Sequence, residues 1–126
     1  MSHATKRITK ALFAAFAAIT ILFAVSACAA PEKIDMANVT SVIDVRTPEE
    51  FAAGHLDGAI NIDVDGADFA GAVSALDKAG TYVLYCRSGH RAGIALDTMT
   101  SLGFTNLTNA GGIDAAASAT GLSIVQ

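Results

Sequence analysis

The sequence predicts an α/β fold in which helices cover both faces of a central, mostly parallel sheet. Two observations support this prediction. Segments rich in β-branched or apolar residues alternate with segments of helical periodicity between residues 39 and 118. One of them, residues 81–85, is apolar almost throughout, which is typical of a strand buried on both faces of a parallel sheet. Strands and helices that alternate in this way form such sheets through right-handed crossovers.

The elements follow one another along residues 39–118. The predicted strands are residues 39–45, 59–62, 81–85 and 104–108, and the predicted helices are residues 48–53, 68–78, 92–102 and 113–118. The first helix has the clearest boundaries, because Thr47, Pro48 and Glu50 predict a capping box with proline at the first helical position, and Gly54 ends it. Residues 55–58 are predicted to form a loop.

The first 27 residues have the pattern of an export signal. Lys6, Arg7 and Lys10 form a basic head, and the apolar run that follows covers residues 11–25 without a charge. This run has the length of a signal-peptide core and is short for a membrane-spanning helix. We therefore expect the remaining chain to be exported.

The end of that run, Val25-Ser26-Ala27-Cys28, resembles the bacterial lipobox. The resemblance implies a signal peptide over residues 1–27, a lipid on Cys28, a tether over residues 28–37 and a membrane-anchored domain over residues 38–126. Ordinary signal-peptidase cleavage after Ala29 and an uncleaved anchor helix are the alternatives, and all three place the domain outside the cytoplasm. A diacylglyceryl mass on Cys28 would establish the anchor, and a mature terminus at Ala30 would refute it.

The composition of the chain after residue 27 excludes some classes of function. Five basic and twelve acidic side chains give it a net charge of −7, and such a chain lacks the basic patch that nucleic acid requires. His55 is expected to make a turn contact, and we expect neither a metal site nor a cofactor. If Cys28 is lipidated, Cys86 is the one thiol left, and a single thiol in an exported domain requires an explanation.

The position of Cys86 suggests that explanation. It follows the apolar strand 81–85 and precedes the loop residues Arg87, Ser88, Gly89, His90 and Arg91, after which a helix is predicted. Backbone N–H groups at a helix start stabilise a thiolate, and a glycine-containing loop can turn its amides inward to hold an anion. The expected chemistry is nucleophilic attack on an electron-poor atom of an anionic substrate.

Several segments together resemble the rhodanese-like sulfurtransferases over residues 38–116. The segments are VIDVRTPEEF at 42–51, GHLDGAINI at 54–62, YCRSGHRA at 85–92, LGF at 102–104 and GGI at 111–113. The resemblance implies a rhodanese-like three-layer fold and a Cys86 persulfide. That persulfide would form from a small sulfur-containing anion such as thiosulfate and pass its sulfur to a cyanide or thiol acceptor.

The resemblance also implies roles for the neighbouring residues. Residues 86–91 would hold the persulfide, with Arg87 and Arg91 as candidates for orienting donor oxyanions, and we favour Arg91 for the pocket. Asp44 and Arg46 either support this loop or form a structural ion pair at the neighbouring helix. The two loop arginines could instead be surface charges or pair with Asp44, and His90 is expected to face solvent.

Two other functions are compatible with the same family. Phosphatase relatives need a Cys-x5-Arg loop to surround a phosphate, whereas Cys86 and Arg91 here form Cys-x4-Arg, so phosphatase activity is a distant alternative. A non-catalytic module that binds a partner or a sulfur carrier is the nearer one.

Overall fold

The computed structural model describes residues 31–126, and its elements agree with the predicted α/β class. The strands are β1 Ser41–Asp44, β2 His55–Leu56, β3 Ile60–Asn61, β4 Thr81–Cys86, β5 Asn106–Gly112 and β6 Ile124–Val125. The α-helices are α1 Pro48–Ala53, α2 Phe69–Ser74, α3 His90–Ser101 and α4 Ile113–Thr120.

The central sheet has four strands in the order β3-β1-β4-β5, and each neighbouring pair is parallel. In the middle of the sheet Ile43 of β1 lies opposite Leu84 of β4. All four strands therefore end at the same edge, which is where ligand sites form in sheets of this kind. The predicted sheet is confirmed.

Side chains alternate along the strands, so both faces of the sheet carry apolar side chains. Two helices pack on each face. Tyr82, Leu84 and Cys86 of β4 enter the core beneath α2 and α3. The intervening side chains, Val83 and Tyr85, enter the core on the other face, which α4 covers with Ala116 and α1 borders. The three predicted layers are thus present.

Helix α1 forms as the sequence predicts. The Thr47 hydroxyl accepts a hydrogen bond from the Glu50 N–H at 3.2 Å, and a Glu50 carboxylate oxygen accepts one from the Thr47 N–H at 3.1 Å. This reciprocal capping fixes the direction in which the chain leaves β1. It also places Glu50 at the edge of the sheet where the strands end.

The structure differs from the prediction mainly at four places. Helix α3 begins at His90 rather than at residue 92, so His90 and Arg91 lie in its first turn and not in the loop. Residues 55–58 include strand β2, which pairs with β6 in a second, antiparallel sheet, and two-residue strands carry too little alternation to be recognised. Helix α2 ends at Ser74 rather than at residue 78, although Leu76 still packs on the core from the turn that follows. Strand β5 continues to Gly112 instead of ending at residue 108.

The segment that precedes β1 contacts α4. The Ile34 N–H donates to the Ala119 carbonyl at 2.8 Å, the Lys33 ammonium donates to the Ser118 carbonyl, and Met36–Asn38 form a 3-10 turn. Part of the segment assigned to the tether therefore lies on the domain. Within residues 31–126, no helix combines the length and apolarity needed to cross a bilayer.

Candidate active site

Cys86 lies at the carboxyl end of β4, where the chain turns into α3. Its side chain is 1% exposed, and the turn between the strand and the helix is only three residues long. Gly89 caps α3 with a φ of +96°, a left-handed conformation that a residue with a Cβ adopts at a cost. The glycine thus allows the loop to close directly over the sulfur.

Backbone amides surround the Cys86 sulfur. The N–H of Gly89 donates to Sγ at 2.9 Å. Burial is the largest single influence and raises the pKa of the thiol, but the N–H groups of Ala92, Ser88, Gly89 and Arg91 together outweigh it, so the pKa of Cys86 lies below its usual value. The predicted arrangement of a thiol within a set of amides is therefore what the structure contains, and it favours the nucleophilic thiolate.

Strand β5 supports the loop from one side. A Cβ on Gly112 would lie 2.5 Å from the Arg87 carbonyl oxygen, so the loop backbone packs directly on this glycine. The Asn109 amide donates to the Gly89 carbonyl at 3.0 Å and accepts from the Gly111 N–H at 2.9 Å. The loop backbone and the backbone of β5 therefore approach each other closely, which explains why Gly111 and Gly112 are glycines.

Helix α1 supports the loop from the other side through an ion pair. The Arg91 guanidinium donates to both carboxylate oxygens of Glu50, at 2.7 Å and 3.0 Å. The bidentate hydrogen bond from Arg91, strengthened by those from Thr47, lowers the pKa of Glu50 to about 2 against a smaller opposing effect of burial. The suggestion that Arg91 pairs with Asp44 is wrong, because its carboxylate partner is Glu50, whereas Asp44 pairs with Arg46.

Asp44 and Arg46 form a separate, buried pair. The Arg46 guanidinium donates to Asp44 Oδ2 at 2.6 Å and to the Gly54 carbonyl, at the end of α1, also at 2.6 Å. It also lies 5.6 Å from the centre of the Tyr85 ring. None of the hydrogen bonds of these two side chains within residues 31–126 reaches residues 86–91, so they stabilise the turn between β1 and α1.

The remaining predicted residues are distributed as follows. Arg87, Ser88 and His90 are exposed around the buried sulfur. Cys28 and the signal segment lie outside the described residues, so lipidation and export stay predictions. Residues 31–126 contain no group of three or more His, Cys, Asp or Glu side chains placed to hold a metal ion.

Two residues of the site were missing from the sequence prediction. Glu50 was assigned only to helix capping, and no pattern indicates that its carboxylate also reaches across 41 positions to Arg91. Asn109 lies in the part of β5 beyond the predicted end of that strand. Both residues connect the loop to elements that are distant in the sequence, so their roles can be recognised only from the tertiary structure.

A cavity of about 460 Å³ lies elsewhere, between residues 31–34, β5 and α4. It shares Asn109 with the loop support but is not lined by Cys86. The chemistry of the site therefore rests on the thiol, the amides around it and the exposed polar side chains beside it.

The chain is similar to known proteins. A family profile described as rhodanese-like domain matches residues 28–119. The thiosulfate sulfurtransferase PspE of Escherichia coli strain K12 is 38% identical over 71 residues, which is 56% of this chain and 68% of that protein. The putative sulfurtransferase YtwF of Bacillus subtilis is 34% identical over 89 residues, covering 71% of this chain and 84% of that protein.

A third relative and a solved structure are also similar to this chain. A putative mitochondrial thiosulfate sulfurtransferase of Schizosaccharomyces pombe is 36% identical over 81 residues, and the match spans 57% of its length. A structure described as a rhodanese with anions, from E. coli, superposes with a TM-score of 0.56 at 34% identity, covering 68% of this chain and 96% of that one.

Proposed function

This chain belongs to the rhodanese-like domain family, and on that premise we propose that it transfers a sulfane sulfur through a persulfide on Cys86. One observation carries the proposal: the only cysteine among residues 31–126 is buried at a strand end, accepts a hydrogen bond from the Gly89 N–H at 2.9 Å and has a lowered pKa. A thiol that served only as core packing would need no such set of amides, and burial alone would raise its pKa.

In the first half-reaction the Cys86 thiolate attacks the outer sulfur of a donor such as thiosulfate. A new S–S bond forms to Cys86, the bond between the two donor sulfurs breaks, and sulfite leaves with the electron pair of that bond. The two negative charges of thiosulfate depart on sulfite, and the charge of the thiolate moves to the terminal sulfur of the persulfide.

The loop amides suit this intermediate. Once the persulfide forms, its terminal sulfur carries the negative charge, and the N–H groups of residues 88, 89, 91 and 92, which already face the Cys86 sulfur, would be available to it as donors. Fixed donors stabilise such a charge without reorganisation during the reaction.

The second half-reaction returns the enzyme to its starting state. A nucleophilic acceptor, cyanide or a thiol, attacks the terminal sulfur, and the S–S bond to Cys86 breaks so that the cysteine leaves as a thiolate. The two steps give ping-pong kinetics and require no cofactor.

The proposal is tested by incubating the purified protein with thiosulfate and cyanide and measuring thiocyanate. We expect Cys86→Ser to reduce the rate to the uncatalysed level, and Cys28→Ser, which removes the other cysteine of the chain, to leave the transfer intact. After treatment with donor alone, the intact mass of the wild-type protein should rise by one sulfur atom, about 32 Da. Thiocyanate formation that survives Cys86→Ser would refute the mechanism.

The mass measurement also separates this function from the nearest alternative. A wild-type protein that gains no sulfur from any donor would be a non-catalytic module that binds a partner or a sulfur carrier.

A further inference from the structure

Charged side chains are distributed unevenly along the described chain. Residues 31–97 carry eleven of its twelve acidic side chains and all five of its basic ones. Residues 98–126, which contain β5, α4 and β6, carry a single charged side chain, that of Asp114. The last part of the chain is therefore nearly uncharged, although the domain as a whole has a net charge of −7.

The fold places β5 and α4 together on one side of the domain. Strand β5 is the last strand in the order β3-β1-β4-β5, so its outer edge has no neighbouring strand within residues 31–126. Helix α4 follows β5 directly and packs against it. We call the outer edge of β5 and the exposed surface of α4 the β5–α4 face. Its exposed side chains are Asn106, Thr108, Asn109, Asp114 and Ser118.

The opposite edge of the sheet is acidic. It is formed by β3, and the segment that follows this strand carries Asp63, Asp65 and Asp68. Three strand spacings separate β3 from β5, which is a distance of about 14 Å. A surface that carries negative charges therefore repels the β3 edge more strongly than the β5–α4 face.

The segment that precedes the sheet is attached to the β5–α4 face. The Ile34 N–H donates to the Ala119 carbonyl at 2.8 Å, and the Lys33 ammonium donates to the Ser118 carbonyl. Residues 31–34 also line, together with β5 and α4, the cavity of about 460 Å³. The chain therefore enters the domain at this face and not at the β3 edge.

The position of Cys28 in the sequence brings an anchor close to the same face. Cys28 is three positions before Pro31, and three residues of chain span at most about 11 Å. A lipid attached to Cys28 would hold residues 31–34, and with them the β5–α4 face, beside the membrane surface. Anionic lipid headgroups would then repel the acidic β3 edge, which lies on the far side of the sheet.

We propose that the β5–α4 face of the anchored protein lies against the surface of an anionic phospholipid bilayer, with the acidic β3 edge turned away from it. The proposal rests on the lipid expected on Cys28 and is independent of sulfur transfer. In this orientation the strands run along the membrane. The carboxyl edge of the sheet, where Cys86 lies, then opens parallel to the membrane and faces dissolved substrates rather than lipid.

Fluorescence quenching in vesicles tests this orientation on the lipidated protein. The vesicles consist of phosphatidylethanolamine and phosphatidylglycerol, with a nitroxide on a fraction of the headgroups. The probe is attached at Thr108→Cys on the β5–α4 face or at Ala67→Cys after β3, and both positions are exposed. Cys86→Ser removes the other reactive thiol, and intact mass first establishes the diacylglyceryl group on Cys28.

The nitroxide should quench the probe at Thr108→Cys at least about threefold more than the probe at Ala67→Cys, because about 14 Å of sheet separates the two edges. Equal quenching would show that the domain turns freely on its tether, and stronger quenching at Ala67→Cys would show the reverse orientation. Either result overturns the proposal, and so does a mature chain without a lipid on Cys28.

A negative charge introduced on the β5–α4 face should weaken its contact with the bilayer. Asn106→Asp adds this charge without a change of shape, and it should shift the equilibrium away from the bound orientation about fivefold. The difference in quenching between the two probes should therefore shrink. Ala70→Asp adds the same charge at an exposed position near the β3 edge and should leave the difference unchanged. Equal effects of the two substitutions would contradict the proposed orientation.

A second copy of the chain is the alternative occupant of the β5 edge. With pyrene as the probe at Thr108→Cys, contact between two copies produces excimer emission that rises with the ratio of protein to lipid. We expect no excimer at low ratios, together with full quenching by the headgroup nitroxide. Excimer emission with little headgroup quenching would show that a second copy covers the edge, and it would overturn the proposal.

Thiocyanate formation, measured on protein that retains Cys86, keeps this proposal separate from the proposed function. Asn106→Asp lies outside the cysteine loop and its supports, so its rate of sulfur transfer should equal that of the wild type. If the quenching pattern is present but no sulfur is transferred, the proposed function fails and the orientation stands. If sulfur is transferred without the quenching pattern, the orientation fails and the function stands.

Discussion

The chain turns twice at the carboxyl edge of the sheet, after β1 and after β4, and the two turns are stabilised in opposite ways. After β1, Asp44, Val45 and Arg46 are all buried, and the hydrogen bonds between Asp44 and Arg46 join residues two positions apart. After β4, Arg87, Ser88 and His90 are exposed. There the support comes from side chains elsewhere in the sequence.

This difference indicates that the first turn contributes mainly to the stability of the fold and the second mainly to the reactivity of Cys86. The first turn satisfies its buried charges mainly within itself, through the pair of Asp44 and Arg46, and this pairing leaves no charged group for a ligand. A turn held from outside by Glu50 and Asn109 keeps its own side chains in solvent and its amides directed at the sulfur. We therefore expect substitutions in the first turn to change stability and substitutions in the supports of the second to change reactivity.

The largest expected change in unfolding free energy follows from breaking the buried pair of Asp44 and Arg46. Asp44→Ala leaves the Arg46 guanidinium buried without its carboxylate, and breaking such a pair from one side costs about 3–5 kcal/mol of unfolding free energy. Urea unfolding followed by far-UV circular dichroism measures this loss. Asp97→Ala, at an exposed carboxylate on α3, is the matched control and should change stability by no more than about 0.5 kcal/mol. Equal effects in the two variants would contradict the contrast.

A smaller effect on stability but a larger one on chemistry is expected at Gly112. An alanine there would place its Cβ 2.5 Å from the Arg87 carbonyl oxygen, so the loop must move at a cost of about 1–3 kcal/mol. The amides then leave the Cys86 sulfur, and we expect sulfur transfer to fall at least tenfold and the pH midpoint of thiol alkylation to rise.

Gly121→Ala is the control for that substitution. Gly121 has a φ of +75°, but an added Cβ would find no atom within 4 Å, so alanine costs about 1 kcal/mol of backbone strain without touching the loop. Its sulfur transfer should match the wild type. If both variants lose activity to the same extent, general destabilisation rather than the displaced loop is the cause.

The two turns also differ in how far the sequence predicts them. The capping box of Thr47 and Glu50, the strand that ends at Cys86 and the cysteine loop itself are local patterns, and each is present in the structure. The partner of Arg91 is not a local pattern, since nothing in the sequence distinguishes Glu50 from Asp44 as the carboxylate that reaches it. The pairing of β2 with β6 was missed for the same reason, because it depends on where the end of the chain returns.

The smallest expected effect is the contribution of the Glu50–Arg91 pair to stability. Because the pKa of Glu50 is lowered from an ordinary 4.5 to about 2 in the folded protein, its carboxylate stabilises the fold at pH values above 4.5. This contribution is lost as the pH falls towards 2. Both side chains are partly exposed, at 23% and 30%, so solvent screening limits the contribution to about 0.5–1 kcal/mol.

Glu50→Gln removes this titration. Between pH 6 and pH 2.5 the wild type should therefore lose about 0.5–1 kcal/mol more unfolding free energy than Glu50→Gln, measured by urea unfolding at each pH. Glu49→Gln, at the exposed neighbour in the same helical turn, should follow the wild-type curve. Parallel curves for the wild type and Glu50→Gln would contradict the ion pair. A difference of several kcal/mol would instead make this pair equivalent to Asp44–Arg46 and remove the contrast between the turns, because a contact that only holds a loop in place adds little to the stability of the fold.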